Sequence, residues 1–212
     1  MNNKALAAGA LALAVAFSVS ACGDSGSDGG ATSATTTSVI SGSATGEATS
    51  ADHNQADVMF SEMMIPHHAQ AIEMSDMLLA KDGIPEPVRS LAEEIKAAQQ
   101  PEVEQFEVWL EEWGMPMPGS DGAGTGGHHM DEMPHMDGMM TAQDMEALSE
   151  AQGTDAARLF LDQMIVHHEG AIEMAQDETE NGQFPETVEL ARTIADTQQN
   201  EIDTMRQLST TL

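Results

Sequence analysis

Apolar residues recur at helical spacing through two long stretches of the chain, and each stretch contains one break. In the first stretch, Asp57 is placed to cap a helix that runs to about Lys81. Gly83 ends this helix, Pro85 opens the next, and apolar positions continue at helical spacing to about Trp113. Sustained alternation of apolar and polar residues, which indicates strands, does not occur. The pattern therefore predicts an all-α protein.

The second stretch has the same organisation. It predicts helices over about 155–180 and 185–208, separated by a turn at Asn181-Gly182. Ahead of them, Thr141 and Asp144 have the spacing of a capping box, which predicts an additional short helix.

The two stretches are copies of one unit. Residues 64–74 read Met-Ile-Pro-His-His-Ala-Gln-Ala-Ile-Glu-Met and residues 164–174 read Met-Ile-Val-His-His-Glu-Gly-Ala-Ile-Glu-Met, so eight of eleven positions are identical. After a slip of one residue, six further residues match: Leu91, Ala92, Ile95, Gln99, Gln100 and Glu102 correspond to Leu190, Ala191, Ile194, Gln198, Gln199 and Glu201. Since one helical hairpin cannot bury its apolar stripe alone, we predict that hairpins 55–113 and 141–212 pack into one four-helix bundle with pseudo-twofold symmetry.

Two prolines fall inside predicted helices. Pro66 corresponds to Val166 in the second repeat, and Pro101 corresponds to Asn200. Because proline has no backbone N–H to donate, each is expected to kink its helix or interrupt one turn.

The N-terminus predicts export and lipidation. Residues 5–17 are uncharged and apolar, a run of the length of a signal-peptide core and too short to span a bilayer. The run ends in Val-Ser-Ala-Cys at 19–22, which resembles the lipobox of bacterial lipoproteins, and Cys22 is the single cysteine. We therefore expect a signal peptide at 1–21, a lipid on Cys22 and a flexible tether over 22–54. This organisation predicts an extracytoplasmic, membrane-anchored protein.

The charge of the chain restricts its partners. The formal net charge is −29, and removal of the signal peptide takes away one of seven basic residues and none of the 36 acidic ones, which leaves −30. Nucleic acid and anionic headgroups would approach against Coulomb repulsion, whereas cations are favoured. The alternative is that the carboxylates only keep the protein soluble.

Histidine and methionine share one helical stripe in each repeat. The candidate metal ligands are Met64, His67, His68 and Met74 in the first repeat and Met164, His167, His168 and Met174 in the second. Imidazole and thioether form a soft ligand set that suits copper, especially Cu(I). Alternatively, the methionines fill the core and one histidine of each pair is structural. Glu73 and Glu173 point away from this stripe. They are candidates for hydrogen bonds that support the metal ligands or for pairing between helices.

The segment 114–140 between the hairpins carries the same residue types. It is rich in Gly and Pro, which predicts a mobile linker without a core to fill. Its candidate ligands are His128, His129, Met130, Met133, His135, Met136, Met139 and Met140. This composition favours copper capture and handover, and compositional drift in a disordered linker is the alternative.

The doubled His-His-x-x-Ala-Ile-x-Met motif, set in helical hairpins after an export signal, resembles a bacterial family of exported proteins known as domain of unknown function 305. The resemblance covers about 55–113 and 153–210. It implies a ferritin-like helical bundle outside the cytoplasm, and some members of the family are associated with copper. The family has no general assigned activity.

We expect a membrane-anchored copper-binding protein that buffers, sequesters or delivers the ion without catalysis, with a metal-handling protein as a partner. A scaffold lipoprotein that binds no metal remains an alternative. A ferritin-like oxidase is disfavoured, because its Glu-x-x-His spacing occurs once, from Glu132 to His135, with Pro134 inside it. The oligomeric state is left open.

Overall fold

The computed structural model describes residues 52–118 and 137–212, which form five helices. These are α1 (Gln55–Leu79), α2 (Glu86–Glu112), α3 (Ala142–Glu150), α4 (Gly153–Asn181) and α5 (Pro185–Ser209). No strand occurs in these two ranges. The predicted all-α bundle is confirmed, and the bounds of the long helices lie within two residues of those predicted, except at the start of α1. The signal peptide, Cys22 and most of the tether lie outside the described residues.

The first helix begins one turn earlier than predicted, because its N-cap is Asn54 and not Asp57. The Asn54 side chain accepts hydrogen bonds from the backbone N–H groups of Ala56 and Asp57, at 2.7 and 3.2 Å. Asp57 returns the contact by accepting from the Asn54 N–H at 2.6 Å, which completes a capping box. The capping box of Thr141 and Asp144 opens α3 as predicted.

Neither proline ends its helix. Helix α1 continues past Pro66 and α2 past Pro101, so of the two expected effects, a kink or an interruption of one turn, the interruption does not occur. The turn after α1 is made by Gly83, whose φ of 74° is in the left-handed region that glycine adopts without strain.

The helices pack as two hairpins, α1 with α2 and α4 with α5. The hairpins meet mainly through α1 and α4, and α3 lies against these same two helices. This arrangement makes α1 and α4 the central helices of the bundle.

The buried apolar residues form two clusters. The leucine-rich cluster contains the C-terminal half of α1 and the N-terminal half of α4, including Ala71, Met74, Leu78, Ala156, Phe160 and Met164. The aromatic cluster contains the opposite halves, including Phe60, Met64, Phe106, Trp109, Ala171 and Phe184. Since each cluster joins opposite halves of α1 and α4, these helices run antiparallel past each other.

Neither apolar cluster contains a histidine. His67 and His167 lie where α1 and α4 pass each other, between the two clusters. The pseudo-twofold axis that relates the repeats therefore passes through this pair. Across the described ranges, every helix is too short or too polar to cross a bilayer.

Candidate metal centre

Four histidines from the two repeats are gathered in the centre of the bundle. His67, His68, His167 and His168 are each fully buried. The rings of His67 and His167 are in contact, with centroids 3.7 Å apart and planes inclined by 40°. The His168 ring is 6.3 Å from that of His167. The fold thus brings together histidines that are 100 positions apart in the sequence.

Two carboxylates hold the second histidine of each pair. The Nε2 atom of His68 lies 2.8 Å from Oε2 of Glu102, and Nε2 of His168 lies 2.7 Å from Oε2 of Glu201. An ionised carboxylate only accepts hydrogen bonds, so Nε2 carries the proton in each pair. In the neutral ring, Nδ1 then bears the free lone pair, as in the carboxylate–histidine–metal arrangements of metalloproteins.

The inner ring nitrogens have no hydrogen-bond partner among the described residues. In His67 and His167 both nitrogens lack one, and in His68 and His168 Nδ1 lacks one. Buried polar atoms are nearly always paired, and leaving one unpaired costs about 1–3 kcal/mol. Six such nitrogens in one layer therefore indicate a site that is built to bind something.

The environment keeps the central pair uncharged. Burial, together with the neighbouring rings of His68 and His168, lowers the pKa of His67 from 6.5 to about 3. The backbone of Asp137 opposes this shift, although no hydrogen bond of normal geometry reaches the ring. Burial also holds the pKa of His167 well below 6.5. Both imidazoles are neutral at pH 7, which is the form that binds metal ions.

The methionines of the stripe lie on both sides of the histidine layer. Met164 and Met74 belong to the leucine-rich cluster, whereas Met64 belongs to the aromatic cluster and the half-buried Met174 packs against it. Each cluster thus combines one motif methionine from the first repeat with one from the second. Their packing is that of core residues, and thioether sulfur is available in both clusters.

The donor set fits copper, but the histidine rings are not yet arranged around an ion. Neutral imidazole and thioether are soft donors that suit Cu(I). Rings with centroids 3.7 Å apart leave no space for an ion between them, since each metal–nitrogen bond is about 2.0 Å long. Within 52–118 and 137–212, no three His, Cys, Asp or Glu side chains converge as a ready set of ligands. Binding therefore requires the rings to turn about their side-chain bonds.

The linker ligands are divided by the structure. His128, His129, Met130, Met133, His135 and Met136 lie outside the described residues. Met139 and Met140 are described and half-buried, and Met140 packs against the leucine-rich cluster. At the other end, Met115 and Met117 pack against the aromatic cluster. These two ends belong to the folded bundle and not to the mobile linker that the sequence predicted there.

The carboxylates that contact the histidines are not the two that the sequence pattern predicted. Glu73 and Glu173 are exposed, so neither supports the histidines. Glu102 and Glu201 do so, from α2 and α5. The sequence did contain one signal for these two carboxylates, because they recur at matching positions of the two repeats. Their contact with the histidines depends on the register of α2 against α1 and of α5 against α4, which the sequence pattern does not specify.

The fold and site define a class of protein: a helical bundle of two repeated hairpins that encloses a histidine centre. The family model for the domain of unknown function DUF305 matches residues 57–209, and the chain belongs to this family. A search of curated protein sequences found no significant match.

Several solved structures are similar to this chain. A putative secreted DUF305 protein from Streptomyces coelicolor is 32% identical, with a TM-score of 0.63 over 72% of this chain and 89% of that one. A DUF305 fragment from Deinococcus radiodurans is 33% identical, with a TM-score of 0.62 over 75% and 98%. CopM in its Cu(I)-bound form is 33% identical, with a TM-score of 0.57 over 73% and 96%.

Proposed function

We propose that this protein binds copper as Cu(I) in the centre of its bundle, outside the cytoplasm, and stores or passes on the ion without chemical turnover. The observation that carries the proposal is the contact between His67 and His167, whose four ring nitrogens are all buried and have no hydrogen-bond partner in the part of the chain that the structure describes. Hydrogen-bonding histidines that only stabilised the bundle would be expected to have partners.

The surrounding groups support copper over harder cations. Calcium and magnesium take oxygen ligands, whereas the layer offers neutral nitrogens with thioethers in the adjoining clusters. The carboxylates of Glu102 and Glu201 are engaged by imidazoles and fix ring orientation. Among the structural relatives, CopM has been solved with Cu(I), with Cu(II) and with silver, an ion of similar softness to Cu(I).

The proposed location rests on the N-terminal sequence, and the proposed role rests on the enclosed histidine layer. Export and a lipid at Cys22 rest on the signal sequence, and the Streptomyces coelicolor relative is described as a putative secreted protein. The buried, enclosed histidine layer favours retention of an ion over reaction with a substrate. The Met- and His-rich linker provides further soft ligands for capture, and a second metal-handling protein is the expected recipient.

The test is a Cu(I) titration of the full chain, without oxygen, against a chromogenic chelator. To isolate the bundle, the background carries His128→Gln, His129→Gln, His135→Gln, Met130→Leu, Met133→Leu and Met136→Leu. In this background, His67→Gln with His167→Gln should lower Cu(I) affinity at least about a hundredfold, since both central nitrogen ligands are lost.

The matched control is His53→Gln. His53 is also an aromatic-contacting histidine, but it stacks on Trp113 outside the central layer, at a centroid distance of 4.5 Å. Its substitution should leave affinity unchanged. Equal affinity of the double variant and its parent would overturn the bundle site. Failure of the unaltered chain to bind Cu(I) would overturn the proposed function and favour a scaffold protein.

A further inference from the structure

Residues 137–140 run across α1 and α4 on the face of the bundle where these helices meet, and we call them the strap. The strap approaches α4 very closely. A Cβ atom at Gly138 would lie 2.8 Å from the carbonyl oxygen of Val166 and 2.9 Å from that of His167. A Cβ atom at Gly170 would lie 1.9 Å from the carbonyl oxygen of Asp137. Two glycines therefore permit a backbone-to-backbone contact beside the histidine layer.

The strap is fastened to α1 by one side chain. The amide of Gln70 donates to the carbonyl oxygen of Met140 at 2.9 Å, and its oxygen accepts from the Met140 N–H at 2.7 Å. These two bonds satisfy both backbone groups of Met140. The Met140 side chain then packs on the leucine-rich cluster. Gln70 is thus a clamp at one end of a strap that glycines hold at the other.

The two fastening points are counterparts in the repeat. Gln70 and Gly170 occupy the same motif position, and this is one of the three positions in eleven where the motifs differ. Since the pseudo-twofold axis lies between them, the strap crosses the axis above His67 and His167. Gly138 of the strap approaches the backbone carbonyl group of His167 itself. The strap is therefore the outer wall of the histidine layer on this face.

We propose that the strap is a cover that must lift for copper to reach or leave the histidine pair, and that the Gln70 clamp sets how often it lifts. This proposal rests on the proposed function, because it assigns a route to the same site. The histidine pair is fully buried and both apolar clusters close it along the bundle axis. The strap, by contrast, is held by two side-chain hydrogen bonds and a glycine contact, which makes it the wall that opens most easily.

The first test requires no metal. In the copper-free full chain, carbethoxylation of His67 and His167 by diethyl pyrocarbonate is followed by mass spectrometry. Gln70→Ala removes the clamp and should accelerate modification roughly tenfold, the factor expected for the loss of about one net hydrogen bond or slightly more. Gly170→Ala should act in the same direction, because its methyl group displaces Asp137. Gln100→Ala, an exposed glutamine on α2, is the control and should change nothing.

The second test measures copper kinetics in the variant with the linker ligands replaced. Gln70→Ala should raise the rates of Cu(I) uptake and release by a similar factor and leave the dissociation constant nearly unchanged. Unchanged modification and unchanged copper rates in both Gln70→Ala and Gly170→Ala would overturn the cover. If the unaltered chain binds no Cu(I) but Gln70→Ala still accelerates modification, the cover stands and the proposed copper function fails. Should Gly170→Ala not fold, Gln70→Ala decides alone.

Discussion

The carboxylate of Asp57 accepts a hydrogen bond from the hydroxyl group of Thr187 at 2.7 Å, which ties the start of α1 to the start of α5. The same carboxylate accepts from the backbone N–H groups of Gln183 and Phe184, at 3.0 and 2.9 Å. Burial opposes ionisation of Asp57, but these bonds and that from Asn54 outweigh it and lower its pKa. One ionised side chain therefore organises this end of the bundle.

At the opposite end of the bundle the two repeats exchange places, and the described residues at the equivalent positions include no such group. By the repeat alignment, Asp57, Glu178 and Thr187 correspond to Ala157, Leu78 and Val88, all fully buried members of the leucine-rich cluster. The same backbone arrangement thus accommodates a polar cluster at one end and an apolar one at the other.

Loss of the Asp57 carboxylate should be severe. Asp57→Ala leaves the N–H groups of Gln183 and Phe184 without their acceptor and the Thr187 hydroxyl with only the carbonyl oxygen of Phe184, at a cost of about 3 kcal/mol in the free energy of unfolding. Urea unfolding measures it. Asp155→Ala is the control, because Asp155 is in the first turn of α4 but exposed. A loss no larger than in this control would show that the cluster contributes little.

Glu178 should make the protein less stable at alkaline pH. Burial is the main cause, and the adjacent Asp57 adds to it, so that the pKa of Glu178 is raised from 4.5 to about 8. A raised folded pKa contributes stability that is complete below pH 4.5 and is lost as the pH rises through about 8. Glu178→Gln removes this dependence, so its melting temperature at pH 8.5 should exceed that of the parent by roughly 5 °C.

The comparison is made from pH 6.5 upward, where the histidine contribution is constant. Glu180→Gln is the control, since Glu180 is exposed on the same helix. Parallel melting curves for the parent and Glu178→Gln over this range would mean that Glu178 is ionised in the folded protein.

The central histidines should destabilise the copper-free protein in acid. The pKa of His67 is lowered to about 3 and that of His167 lies well below 6.5. Below pH 6.5 these groups are therefore protonated in the unfolded chain but remain neutral in the folded one. Stability from the pair is therefore complete above pH 6.5 and is lost progressively as the pH falls toward 3.

Replacing both histidines with glutamine should flatten the acid limb of a plot of melting temperature against pH, whatever the variant's stability at pH 7. His53→Gln should leave the slope as it is. An acid limb of equal steepness in the double variant would contradict the neutral, buried pair.

Glu102 and Glu201 are expected to act as positioning residues. Glu102→Gln with Glu201→Gln keeps the size of each side chain but removes the charge that fixes the proton on Nε2. Copper affinity should fall about 10- to 100-fold. Nitrogen chemical shifts of His68 and His168 should show a changed tautomer balance, which a purely structural role would not produce. Glu104→Gln, exposed on α2, serves as control, and equal affinities would refute the assignment.

The anchor is tested at Cys22. Because Cys22 is the single cysteine and follows the lipobox-like residues, Cys22→Ser should move the protein from the membrane fraction to the soluble fraction. Detergent-dependent fractionation that is the same for both proteins would contradict lipidation at this residue.

Local signals were sufficient for much of the fold. Apart from the start of α1, helix bounds agree because prolines, glycines and capping boxes act within a few residues, as at Pro185 and Thr141. The doubled motif predicted pseudo-twofold symmetry, and the contact between His67 and His167 agrees with that symmetry. The contacts of His68 with Glu102 and of Asp57 with Thr187 were not predicted, since each depends on the register between separate helices.

The docking of the strap onto the bundle could not be predicted from the sequence either, for a different reason. The segment around Gly138 and Met140 is rich in glycine and methionine, and this composition does not distinguish a free segment from a docked one. What distinguishes the two cases is the partner surface, here Gln70 on α1 and the bare backbone of Gly170 on α4. That surface exists only once the two hairpins have assembled.

The antiparallel crossing of α1 and α4 bears on how the histidine centre could have evolved. Two identical hairpins related by a true twofold axis would build the same histidine centre, so a half-length chain could form it as a homodimer. Joining the two halves in one chain releases them from identity. Gln70 can then differ from Gly170, and Asp57 from Ala157. In a symmetric dimer every feature occurs twice. A single cover on one face of the histidine centre and a single acidic cluster at one end of the bundle therefore require the two halves to differ.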